Sequence, residues 1–304
     1  MDQRTHFFFE LYGQRCRVAH TARRLGVAVA GGVLLGLLAT REVEASMRRC
    51  AVHRSLRACH AVSVPAPPRS AIVFGARNLG HAIIEALVAD GCAVTGVARS
   101  EATLQGVSEA GARPQRADIT DPASVRAALA GAAEAQGPLD LAVNAASPYA
   151  GGGGPFGGGP IADTAPDAFD RWTSRPAQGA FSFLSAAGRF TLDQRRPATL
   201  IQVTGGSARR AMPGRGLWAA GSFGVRAITN AAALELRPQG IQVVLLIIDA
   251  GIEPRSGEVR AGASRDALAD ADRIADAVLF LARQDPRAAT HELTITPLAE
   301  GWTP

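Results

Sequence analysis

The chain contains no lysine: all 32 of its Lys+Arg positions are arginine. Chemistry that depends on a lysine ammonium is therefore closed to it along all 304 residues. Tyrosine is nearly as scarce, with Tyr12 and Tyr149 alone. Of the four cysteines, Cys16, Cys50 and Cys59 fall in the first seventy residues and only Cys92 lies beyond them. No CxxC pair exists, and Cys50, His53, Cys59 and His60 match no common zinc spacing, so no metal is expected. A full-length membrane span is also missing. The uncharged run from Leu25 to Thr40 has 16 residues, fewer than the roughly 20 of a spanning helix and slightly more than the about 7 to 15 of a secretory core.

What is present divides at about residue 70. Residues 1 to 70 carry 11 arginines against 4 acidic residues, whereas the remainder carries 21 against 23. The formal net charge of +5 thus belongs to the extension, and it gives no reason to expect nucleic-acid binding by the rest. Pro65, Pro67 and Pro68 mark the junction. An apolar content of 47% and a mean hydropathy of +0.07 supply enough material for a packed core in residues 71 to 304. The extension has two readings: an irregular segment, or an anchor or cleaved targeting segment with membrane contact through residues 25–40. Membrane or organelle localisation is expected if the extension is real, cytoplasmic otherwise. Met47 opens a second Arg-rich, acid-free stretch with the composition of a transit peptide or of a misassigned start.

Ala71 to Phe74 is a short apolar run that ends at Gly75, and Ile83, Ile84, Leu87 and Val88 follow at helical spacing. Ala93 to Ala98 then reads as a second strand. The turn Gly75 to Ala82 (GARNLGHA) thereby falls between a strand and a helix, where free N–H groups and the helix dipole attract a pyrophosphate. Gly75, Arg77, Asn78, Leu79 and Gly80 are the expected contacts. Arg99 ends the second strand, at the position where an acidic residue would hold an unphosphorylated ribose. An arginine there suits a 2′-phosphate, with Arg77 as a second cation, so NADP(H) is expected over NAD(H). Ala117 to Asp121 is read as the end of a third strand, and Leu139 to Ser147 as a fourth running into Asn144, Ala145 and Ala146.

With a Gly-rich turn, an Asp after the third strand and an NNAG-like strand end, residues 71 to 304 resemble the short-chain dehydrogenase/reductase family. The resemblance extends through ATLIQVTGG, ALELRPQGIQVVLLI and HELTITP as the last three strands. It implies an α/β fold: a single doubly wound parallel sheet of Rossmann type, preceded by an irregular or helical extension. It also implies that Asp118 and Ile119 lie near the adenine and that Asn144 to Ala146 line the middle of the cofactor. Two departures stand out. Gly75 and Gly80 are five apart where the family has six, which implies a shortened phosphate turn. The second departure concerns catalysis.

The family uses Tyr as proton donor, Lys to lower its pKa, Ser to polarise the carbonyl and Asn to hold a water. Aligning WAAGSFGV (Trp218 to Val225) on the family's YSASKAGV puts Trp218 at the Tyr and Ser222 at the Lys. The Ser position falls on Gly205 and the Asn position on Pro176. The chain thus resembles a divergent branch lacking the Asn-Ser-Tyr-Lys tetrad, and the expected function is NADP(H) binding, weakened or lost, with little or no standard carbonyl reduction. The alternative is an active NADPH-dependent reductase with a non-standard donor; Ser207, Tyr149 and His81 are the residues to consider. A hydrolase is excluded, because GGSAR (Gly205 to Arg209) lacks the last glycine of GxSxG. The glycine-rich stretch from Ala150 to Pro160 is expected as a mobile loop on the substrate side, and the connection from Gly251 to Leu268 as a reduced substrate lid. By resemblance, helices around Phe181 and Val225 would pack against a second subunit in a homo-oligomer.

Overall fold

The computed structural model describes residues 68–148, 154–255 and 264–300. These carry seven parallel strands in one sheet, in the order β3-β2-β1-β4-β5-β6-β9. The strands are β1 (Ser70–Phe74), β2 (Ala93–Ala98), β3 (Arg113–Arg116), β4 (Leu141–Asn144), β5 (Ala198–Gly205), β6 (Ile241–Ile248) and β9 (Glu292–Ile295). A short separate pair joins β7 (Gly251–Ile252) to β8 (Leu268–Ala269). The Rossmann-type doubly wound sheet is therefore present. The strand order reverses between β1 and β4, which opens a crevice at their carboxyl ends.

Parallel strands covered on both faces must be apolar throughout, and β1, β4 and most of β6 are fully buried. Alternation sorts their side chains by face. Ala71 and Val73 join Leu246 and Ile248 under α1 (Leu79–Ala89) and α6 (Ala271–Ala282), where Ile83, Ile84, Leu87, Ile274 and Val278 pack. Ile72, Phe74, Leu200 and Val243 face the other way, toward α3 (Pro122–Gln136), α4 (Arg175–Gln194) and α5 (Gly216–Leu236). Gly96 in β2 lets α1 and α2 (Glu101–Glu109) approach closely: a Cβ there would stand 2.7 Å from both Ile84 and Val107.

Two boundaries differ from the sequence reading. β3 is Arg-Pro-Gln-Arg, a polar edge strand without the apolar pattern that identifies its neighbours, and it stops at Arg116. Residues 117–121, read as the strand's end, instead form the turn into α3, where Asp121 caps the helix by accepting from the Ala123 N–H at 3.0 Å. The apolar run 25–40 and the tail cysteines lie outside the described residues. No helix among the described residues is long and apolar enough to cross a membrane, and none of these residues cluster as metal ligands.

Candidate functional site

The site lies at the carboxyl ends of the strands and has two halves. In the first, Gly75 leaves β1 at φ +83°, and a side chain there would overlap the backbone of Ala146. A side chain at Gly80 would in turn overlap the Gly75 carbonyl. Gly75 is therefore required by contact as well as by conformation, and Gly80 by contact. The turn is drawn in on itself: the Arg77 N–H donates to the Gly75 carbonyl at 2.8 Å and the Gly80 N–H to the Arg77 carbonyl at 3.1 Å. Asn78 takes φ +50°, ψ −107°, a strained setting for a side chain. Leu79 is buried at the start of α1.

Asn78 is also held from outside. Its Oδ1 accepts from the Arg255 backbone N–H at 3.1 Å, and the Arg255 guanidinium pairs with both Glu85 of α1 and Asp272 of α6. The segment after β7 is thereby fastened over the turn. His81 turns to its own helix, with Nε2 3.3 Å from Glu85 Oε1.

At the end of β2 and beyond β3, Arg99 and Asp118 stand 3.7 Å apart. Desolvation acts to raise the Asp118 pKa, but the Thr120 N–H and hydroxyl and the Arg99 guanidinium outweigh it and hold the carboxyl below its usual range. Arg116 donates to the Arg99 carbonyl at 2.6 Å and pairs with Glu101, stiffening this edge. Ile119 is buried against the α3 and α4 face. The buried Asn144 donates from Nδ2 to Gln202 Oε1 at 2.9 Å and accepts from the Ala146 N–H at 3.1 Å. The Ala145 N–H continues the ladder to the Phe74 carbonyl. Gln202, which no local motif marks, holds the amide of Asn144 from the neighbouring strand.

The second half is built on β5 and α5. Gly205 ends β5 beneath the indole of Trp218; a Cβ on Gly205 would lie 3.3 Å from Trp218 Cζ2. Ser222, one turn along α5, is buried and its hydroxyl finds no hydrogen bond among the described residues; the same holds for Ser207. Pro176 is buried in the first turn of α4, directly after a π-helical turn from Asp170 to Ser174. That turn presses on α5: a side chain at Gly221 would overlap the Trp172 carbonyl, and Thr173 Oγ1 donates to the Leu217 carbonyl at 2.9 Å. Tyr149 lies outside the described residues.

The glycine-rich stretch corrects an expectation. Its described part, residues 154–160, is docked, with Gly157, Gly158 and Gly159 all at positive φ and Gly159 bridging to Arg215. The turn of the chain that these glycines allow brings Phe156 edge-on to Trp218, 4.2 Å between centroids, and to Trp172 at 5.0 Å. Arg215 caps the cluster, 5.5 Å from the Phe156 ring centre and 6.0 Å from that of Trp218. Composition alone marks such a run as a linker; the aromatic residue inside it was the overlooked signal. On the neighbouring strand end, the buried Asp249 pairs with Arg210 at 2.5 Å and leaves no room for a side chain at Gly206.

The short-chain dehydrogenase model matches residues 69–251. The chain belongs to that family. Among curated relatives, a short-chain dehydrogenase/reductase of Armillaria gallica is 36% identical over 81 residues, 27% of this chain and 31% of its own. Glycine betaine reductase of Emericella nidulans is 26% identical over 255 residues, 78% of this chain and 19% of its own. This short-chain dehydrogenase homologue therefore spans less than a third of the length of either relative. A short-chain oxidoreductase of Pseudomonas aeruginosa, solved with NADPH and described as containing an atypical catalytic center, aligns with a TM-score of 0.63 at 23% identity. The alignment covers 77% of this chain and 98% of that one.

Proposed function

We propose that the protein binds NADP(H) through the β1–β4 half of its site and has lost standard carbonyl reduction in the β5–α5 half. Gly75, Arg77, Asn78, Leu79 and Gly80 would hold the pyrophosphate, Arg99 the 2′-phosphate, Asp118 and Ile119 the adenine, and Asn144 to Ala146 the central portion. The tight glycine turn between β1 and α1, where a Cβ on Gly75 or Gly80 would overlap main chain, and an arginine at the end of β2 support this fit. The self-bonded turn supports reduced affinity, because N–H groups spent inside it are not offered to phosphate. When bound, the cofactor would supply the hydride.

One observation carries the loss of chemistry: the Trp218 indole lies against Gly205, so two of the four family positions are filled by mutual packing. An indole donates a hydrogen bond but gives up no proton at neutral pH, and neither Ser222 nor Pro176 supplies charge. Gly205 and Trp218 fit one another as a packed pair. An arginine-for-lysine bias would have left arginine at 222. A second reading, an active NADPH-dependent reductase with a non-standard donor, is favoured by the buried unpaired hydroxyl of Ser207 and by the Pseudomonas neighbour's atypical centre.

The test is an NADPH fluorescence titration followed by cofactor consumption with a panel of carbonyl compounds. Binding without consumption is expected; turnover in the unmodified protein would replace this reading by the second. Gain of reductase activity in a G205S/W218Y/S222K variant would show that the scaffold remains competent. We further propose that Phe181 of α4 and Phe223 and Leu234 of α5, all exposed, pack in a homo-oligomer, which light scattering would check. Residues 1–70 are proposed as an extension separate from the domain, with membrane contact through residues 25–40 to be tested by fractionation.

A further inference from the structure

The described part of the glycine-rich loop places a phenyl ring in a position that looks prepared for one. Phe156 has two indoles meeting it at 84° and 72°, and a guanidinium stands near its face. Yet the ring remains 48% exposed, far more than the buried Phe74 and Phe183 of the core. A half-exposed ring on a glycine hinge forfeits little burial when it leaves. Phe156 thus occupies its seat without being committed to it.

Arg215 supplies the second observation. Arg209, Arg210 and Arg226, on the same edge of the sheet, each reach a carboxylate: Glu292, Asp249 and Glu292 respectively. Arg215 pairs with no carboxylate among the described residues; its stem packs on Gly157 and its guanidinium lies near the Phe156 and Trp218 rings. Beside rings that accept no hydrogen bond in its plane, a guanidinium keeps its donors available, and these match a carboxylate in bidentate fashion. Aromatic edges below and an uncompensated fork of donors above define one ligand chemistry.

We propose that Trp172, Trp218 and Arg215 form a binding site for an aromatic carboxylate, which enters by displacing the ring of Phe156. The ring of the ligand takes the place of the phenyl group, and its carboxylate meets Arg215. An aliphatic acid would gain the arginine without the rings, and a neutral arene the rings without the arginine. The proposal rests on the reading above only in putting this site beside a dinucleotide; its own residues carry the rest.

Calorimetric titration of the full chain with phenylacetate and with its neutral isostere phenylacetamide tests it, with and without NADPH. Phe156→Ala is expected to bind phenylacetate about tenfold more tightly than the unmodified protein, since the competing ring is gone. Phe156→Leu, which keeps a smaller apolar plug, should fall between the two. Arg215→Gln in the Phe156→Ala background should abolish the preference for acid over amide while retaining the melting temperature. Equal binding of acid and amide, a preference that survives Arg215→Gln, or no binding in any variant overturns the proposal. Absence of NADPH binding in the same samples would overturn the dinucleotide reading alone, provided that Arg215-dependent discrimination persists.

Discussion

The two halves of the site were built by the same sheet but hold different kinds of residue. Around β1 and β4, glycines and backbone groups make a concave surface in which an added Cβ would collide with main chain. Around β5 and α5, the equivalent surface is filled with side chains: Trp218 over Gly205, Phe156 against Trp218, Ser222 buried beneath. A cradle made by backbone is kept by sterics, because nearly every substitution breaks the local fold as well as the site. A catalytic group is a side chain, and it can be exchanged for packing with little cost to the scaffold.

The sharpest way to break this comparison is Gly80→Ala. Its Cβ would overlap the Gly75 carbonyl, and with no flexible neighbour to yield, the expected loss is about 3 kcal/mol or more by urea denaturation. A loss below about 1 kcal/mol would mean that the turn is not sterically fixed. Next comes Arg99→Gln, which should weaken NADPH by roughly 10- to 100-fold while leaving NADH nearly unchanged, as expected for loss of one charge-assisted contact. Equal effects on both cofactors would remove Arg99 from the 2′-phosphate.

On the catalytic side, Gly205→Ser should cost about 1–2 kcal/mol because its Cβ meets the Trp218 indole at 3.3 Å. In Trp218→Tyr that penalty should shrink, giving a coupling of about 1 kcal/mol in a double-mutant cycle. Additive effects would separate the two positions and weaken the case for mutual replacement. The smallest effect concerns Asp118, whose depressed pKa makes its contribution to stability full above the unfolded value of about 3.9 and lost as pH falls through the folded value. Its carboxyl is 40% exposed, so solvent screening keeps this below about 1 kcal/mol. Asp118→Asn should therefore flatten the acid limb of a melting-temperature profile below pH 4 and leave pH 6–8 unchanged.

Much of the sheet was legible in the residues. β1, β2 and β5 follow apolar runs whose boundaries the punctuating glycines set within a residue or so, because buried parallel strands must be continuously apolar. β3 was misjudged in extent, since an edge strand of Arg-Pro-Gln-Arg is defined by hydrogen bonds to β2 and carries no pattern of its own. In the candidate site, Gly75 and Asn144 are legible because each sits at a strand end, and Gly80 because it opens the helix that follows the glycine turn.

Gln202, Asp249 and Arg255 could not, since their partners lie in other segments, as far as 177 residues away for the Arg255–Asn78 contact, and the same holds for the contact of Arg215 with Phe156. Phe156 was hidden in a stretch whose composition reads as linker. Local sequence settles that lysine is absent, that Trp218 and Ser222 fall one helical turn apart, and that a glycine turn joins β1 to α1. Whether those residues leave a hole or a filled surface depends on distances between segments remote in the chain, and packing alone settles it. Here Gly205 makes room for Trp218, and three glycines at positive φ carry Phe156 to it.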